Sequence, residues 1–160
     1  MKSALISLAL LAPLAAAAHG EMAHPAKKPA GISTEQHPWG REGDPKKAVR
    51  SIRVDMADTM RFTPDRIEVK RGQTVTFVVR NAGKVMHEFV IGTLPALNEH
   101  AELMKKHPGM EHGQPYMAHV EPGRTQRIHW TFTEAGTYHA GCLLPGHWEA
   151  GMKATITVKE

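Results

Sequence analysis

Cysteine is almost absent: the 160 residues contain one, Cys142. A single cysteine excludes an intrachain disulfide. In an oxidising compartment it leaves three readings, a buried small hydrophobe, an intermolecular bridge, or a thiolate held by a soft metal. Grouped carboxylates are scarce too, which excludes the oxygen-rich cages of calcium and magnesium. After the first 18 residues no segment is apolar enough to cross a bilayer, which takes about 20 residues. Internal repeats are missing. The net charge of +4 is spread among acids, so no nucleic-acid surface is read from it.

Against these absences stand 11 histidines and 9 methionines. The chain opens with Lys2, an apolar run from Ala4 to Leu14 broken only by Ser7 and Pro13, and the small residues Ala15 to Ala18. That is the three-part pattern of a secretory signal, expected over 1–18, and it implies export to the periplasm. Its removal leaves 142 residues, enough for one domain, and takes away the charge of Lys2 to leave +3. Residues 19–47 are rich in Pro, Gly, Lys and His without apolar period, and are expected to form a flexible arm carrying His19, Met22 and His24. The domain proper is expected over 48–160.

Within it the period is two. Val49, Ile52 and Val54 begin a strand; Met60 to Phe62 and Ile67 to Val69 form short ones; Val75, Phe77 and Val79 alternate with polar neighbours. Strands are also expected at His87–Ile91, 117–121, 124–132, 137–142 and 153–158. Only 96–106 reads as a helix, with Leu97, Ala101 and Met104 near one face. Seven or eight short strands with one short helical insertion indicate an all-β fold, a β-sandwich.

The segment from Cys142 to Met152 places a thiolate, the imidazole of His147 and a thioether at intervals of five residues. It lies between two expected strands, so the three side chains share one loop, and Pro145-Gly146 provides its turn. A fourth donor must come from elsewhere. His87, at the start of a strand, is the best candidate, with His129 and His139 as rivals; alternation turns His139 away from the thiolate. Two imidazoles, one thiolate and a weak thioether suit copper in both oxidation states. Zinc sites favour more cysteines and do not favour methionine.

Taken together, these residues resemble the cupredoxins, the type 1 copper proteins. Gly136-Thr137-Tyr138 is similar to the family's turn and penultimate strand, and Cys142, His147 and Met152 match its ligand loop. Pro64 to Phe77 resembles its N-terminal strand pair, and Asn81 to Phe89 the segment carrying the first histidine. The resemblance spans about 48–158 and is nearest to exported bacterial copper-tolerance cupredoxins. It implies a Greek-key β-sandwich with copper held by His87, Cys142, His147 and Met152. Two positions depart from the pattern: Glu88, where Asn or Ser is frequent, and Ala140, where an aromatic residue is frequent.

Between Met104 and His119 lie three methionines and three histidines, Met104, His107, Met110, His112, Met117 and His119. Thioethers bind Cu(I) and imidazoles accept either state, so this segment and the arm residues His19, Met22 and His24 are candidate secondary copper sites. The competing reading is a helix end and a solvated loop in which Met104 and Met117 pack. Leu143, Leu144 and Trp148 either form an apolar collar for a redox partner or pack the loop onto the sandwich. The expected function is copper tolerance or homeostasis by a site cycling Cu(I) and Cu(II), without enzymatic activity. The alternative is a carrier delivering single electrons to a periplasmic redox enzyme. The partners are then copper ions and a periplasmic redox or copper-handling protein.

Overall fold

The structure, a computed structural model, describes residues 31–108 and 113–160. The expected signal at 1–18 and the arm residues His19, Met22 and His24 lie outside the described residues, as do Met110 and His112.

Among the described residues eleven strands form two sheets. They are β1 (Gln36–His37), β2 (Gly40–Glu42), β3 (Ala48–Ala57), β4 (Arg61–Thr63), β5 (Arg66–Lys70), β6 (Thr74–Asn81), β7 (His87–Gly92), β8 (Met117–Val120), β9 (Thr125–Thr131), β10 (Gly136–Gly141) and β11 (Lys153–Lys159). The first sheet runs β1-β2-β9-β6-β3-β4 and the second β5-β11-β10-β7-β8. Two neighbouring pairs are parallel, β3 with β6 and β5 with β11; the others are antiparallel. The result is the Greek-key β-sandwich that the sequence pattern implies.

The alternation that marks the strands is the alternation that fills the core. Val75, Phe77 and Val79 from β6, Ile128 and Trp130 from β9, Phe89 and Ile91 from β7, and Ala154 and Ile156 from β11 meet between the sheets. Phe89 packs edge-on against Phe62 at 5.2 Å between ring centroids, a favoured aromatic geometry.

One helix, α1 (Leu94–Lys106), interrupts the strands. Thr93 caps it, its hydroxyl accepting from the Ala96 N–H; Pro95 occupies the first turn, and Lys105 and Lys106 sit at the negative end of the helix dipole. Leu97, Ala101 and Met104 form its buried face and pack on Val90, Met117, Leu143 and Trp148. Burial of Leu97 and Met104 contributes about 1.5–3 kcal/mol each.

The structure differs from the sequence reading at the start of the domain. Residues 36–47, expected as the end of an arm, carry β1, β2 and a 3-10 turn over Pro45–Lys47, and β2 pairs antiparallel with β9. The cause is Trp39, which is buried and stacks on His37 at 4.8 Å. Its carbonyl also accepts from Trp130 Nε1 at 2.8 Å. Gly40, at φ 122°, makes the approach to β9, where a Cβ would lie 2.2 Å from the Thr131 carbonyl oxygen. One anchor residue thus orders a stretch whose composition reads as loop.

Candidate metal centre

Three elements deliver the donor side chains. His87 is the first residue of β7 and follows the loop 82–86. That loop is shaped by Asn81, whose buried amide donates to the Val85 and Val120 carbonyls at 2.7 and 2.8 Å. Its Oδ1 accepts from the Gly83 N–H at 2.8 Å. Cys142 directly follows β10, and Met152 directly precedes β11. Between them the chain folds back on itself. The Cys142 N–H donates to the Met152 carbonyl, and the Met152 N–H to the His147 carbonyl, both at 3.1 Å. Gly146 and Gly151, at φ 86° and 89°, take the left-handed conformations that this return requires.

The ligand atoms of His87, Cys142 and His147 all lie within 4.8 Å of one another. Cys142 Sγ stands 3.2 Å from His147 Nδ1 and accepts from the Glu88 N–H at 3.3 Å. The rings of His87 and His147 have centroids 5.1 Å apart. His87, Cys142 and Met152 are inaccessible to solvent, whereas His147 is half-buried and carries the site to the surface. The two nitrogens of His87 have unlike surroundings. Nε2 lies 3.1 Å from Asp58 Oδ1, while Nδ1 is buried without a hydrogen-bond partner. A buried polar atom without a partner is costly, and a metal beside the Cys142 and His147 donors would satisfy this one. The Cys142 sulfur and the imidazoles of His87 and His147, with the thioether of Met152 buried at the end of the same loop as Cys142, make a donor set that fits copper.

Burial pushes the Cys142 thiol up to about 12; the Glu88 and Leu144 N–H groups oppose the rise and the Glu88 charge adds to it. Burial, and then the neighbouring His87, push His147 below the usual imidazole range, which favours the neutral form that a metal needs. In the metal-free protein Cys142 is therefore expected to react with iodoacetamide at pH 8 about a thousandfold more slowly than in the unfolded chain, because thiolate is the reactive form. Mass spectrometry of timed samples checks this; equal rates would mean an open thiol.

Glu88, the departure from the family pattern, is 1 % exposed and directs its carboxylate to His119 Nε2 at 2.9 Å across the β7–β8 pair. Its backbone serves the sulfur while its side chain faces the neighbouring strand. Ala140 is fully buried in the main core between the sheets. His129 meets Thr76 Oγ1 at 2.9 Å, and His139 stands opposite Thr155 on β11; neither belongs to the donor cluster.

The ligand loop is braced from outside by α1. Leu143 and Trp148 are buried against the helix, so of the apolar trio only Leu144 remains part-exposed. Trp148 Nε1 donates to Asn98 Oδ1 at 3.2 Å, and Lys105 Nζ pairs with Glu149 Oε1 at 2.7 Å. Lys153 Nζ sits 3.7 Å from the centroid of the Trp148 ring, a cation–π contact. The indole covers Gly141, where a Cβ would lie 2.4 Å from Trp148 Cζ3.

Of the candidate secondary residues, Met104 and Met117 are buried in the helix-side cluster, His107 is exposed at the helix end, and His119 pairs with Glu88. Sequence reasoning missed Asp58, in the β3–β4 turn, and Arg61, the first residue of β4. Arg61 Nη1 donates to the Ala150 carbonyl at 2.8 Å, so that short segment touches both His87 and the ligand loop. The only sequence signal was an acid and a base flanking a two-residue turn.

Comparison with known proteins gives a consistent picture. The family of copper binding proteins of the plastocyanin/azurin type matches residues 48–159. The copper-resistant cuproprotein CopI of Rubrivivax gelatinosus is 48% identical over 122 residues, covering 76% of this chain and 74% of that protein. Its namesake in Pseudomonas aeruginosa is 35% identical over 150 residues, covering 76% of this chain and 82% of that protein. Among solved structures, reduced auracyanin from Roseiflexus castenholzii superposes with a TM-score of 0.61 at 22% identity, covering 71% of this chain and 99% of its own. Auracyanin B gives 0.62 at 21%, covering 76% and 96%. At such identities the structural likeness speaks for the fold, whereas the family match and the CopI relatives bear on the sequence itself. The chain belongs to the plastocyanin/azurin family of copper-binding proteins.

Proposed function

We propose that this chain is an exported type 1 copper protein serving copper tolerance, with copper held by His87, Cys142, His147 and Met152. The single observation that carries the reading is the unpartnered, buried Nδ1 of His87, in a ring whose donor groups with Cys142 and His147 lie within 4.8 Å. The relatives named as copper-resistant cuproproteins support the tolerance role. Copper bound there supplies one-electron chemistry between Cu(I) and Cu(II).

The protein's own residues supply the rest. Burial excludes water from the thiolate, and the Glu88 N–H stabilises its charge. The helix and the β3–β4 turn hold the ligand loop, so little rearrangement accompanies a change of oxidation state. Four donors leave no coordination position for a substrate, which is why we read the protein as a copper handler rather than an enzyme. The Met/His segment from Met104 to His119 and the arm residues His19, Met22 and His24 would add further copper in that role. The half-buried His147 favours a second reading, an electron carrier exchanging electrons with a periplasmic partner through that ring.

Copper per chain and growth together test the choice. A copper-sensitive bacterium exporting this chain is expected to grow at higher copper than one exporting Cys142→Ser, and the purified protein to hold two or more ions. One ion per chain and no gain in tolerance would overturn the tolerance role in favour of the carrier.

A further inference from the structure

Asp58 is presented by a tight turn between β3 and β4, closed by the Met60 N–H donating to the Ala57 carbonyl at 2.9 Å, with Met60 in the left-handed region at φ 59°. Its carboxylate is the focus of a second loop. Oδ2 accepts from the Lys84 N–H at 2.8 Å, and Oδ1 lies 3.5 Å from the Val85 N–H and 3.1 Å from His87 Nε2. Gly83 closes over the same carboxylate, and a Cβ there would fall 1.9 Å from Oδ1. The loop leading to His87 is therefore wrapped on Asp58, and the histidine ring ends on it.

We propose that Asp58 is a positioning residue for the copper site, fixing His87 as the Nε2–H tautomer, leaving Nδ1 for the metal, and biasing the bound ion towards Cu(II). The inference deepens the copper reading above and rests on His87 being a ligand. Its logic is a donor–acceptor count. A neutral imidazole has one N–H and one lone pair. An ionised carboxylate only accepts, so the nitrogen facing Asp58 carries the hydrogen, and the lone pair falls on Nδ1, the buried atom with no partner. A negative charge behind the ring makes the imidazole a stronger donor and favours the more positive metal state. Arg61, which opens β4 directly after that turn, donates to the Ala150 carbonyl, so one short segment sets the relative placement of His87 and the loop 142–152.

The test uses the copper-loaded full chain with Asp58→Asn and Asp58→Ala, reading the reduction potential by redox titration alongside the visible spectrum. Loss of the charge is expected to lower the Cu(II) to Cu(I) affinity ratio about tenfold, a rise of about 59 mV for one electron, with the visible band retained. A merely structural role would alter stability or copper content without that upward shift. Should the variants fail to fold, nitrogen-15 NMR of the diamagnetic Cu(I) wild type decides, with a protected Nε2–H on His87 expected. An unchanged or lower potential in both variants, or a proton on Nδ1, overturns the proposal. The copper reading fails separately, by persistence of the visible band in Cys142→Ser.

Discussion

Replacing Cys142 with serine is expected to abolish the intense visible absorption of the Cu(II)-loaded protein and to weaken copper binding by more than about a hundredfold. Losing partners that merely orient a ligand already costs 10–100-fold, and here a ligand itself is lost. The band arises from charge transfer out of the thiolate, and a serine hydroxyl has no comparable donor. Cys142 makes no disulfide and is fully buried, so the near-isosteric change should leave the sandwich folded. A copper titration followed by visible and electron paramagnetic resonance spectra checks both effects. A band that survives in the variant would show that the thiolate is not the copper ligand.

The largest loss of stability is expected far from the metal, at Trp130. Its side chain is fully buried in β9, pairs across from Val75, and packs edge-on with Tyr116 at 5.8 Å. Its Nε1 holds the Trp39 carbonyl and with it the segment 36–42. Trp130→Ala removes the ring, leaves a cavity, and frees that carbonyl, a change of about 3–5 kcal/mol. Against the 5–15 kcal/mol typical of a domain, that is a large fraction. Denaturant unfolding of the metal-free protein measures it. Val75 stands at the opposite end of β6 from Asn81, so the copper band of the folded fraction should be unchanged. A cost below about 1 kcal/mol would mean that the N-terminal segment and the ring contribute little.

Much of this architecture was legible in the residues. The period-two runs of β6 and β9 announced their buried faces, and the helix at 96–106 emerged two residues longer at its start, where Thr93 and Pro95 supply the cap. The spacing of Cys142, His147 and Met152 marked the candidate loop because its donors are close in sequence, and the fold brings Cys142 and His147 together there. What escaped was long-range. Residues 36–42 have no alternation, and their order comes from a single indole meeting a strand about ninety residues away. The β3–β4 turn shows nothing in sequence of its contact with His87, because Asp58 reaches the ring only through the sandwich. Glu88 looked like an intruder beside a ligand; its partner His119 is fixed by strand register, which a linear reading cannot supply. Leu143 and Trp148 could have faced a partner or the domain, and the position of α1 decided for the domain.

The parallel pairing of β5 with β11 also bears on the order of events during synthesis. Ile67 lies beside Ile156, so the second sheet lacks its link between β5 and β10 until the residues after the ligand loop have been made. Long-range pairing of this kind forms late, after the chain has met the entropy of closing a large loop. His87 and Asp58 emerge early, yet the pocket they face does not exist until β11 docks. A nascent chain thus has a cysteine but no copper pocket, and metal capture belongs to the finished fold.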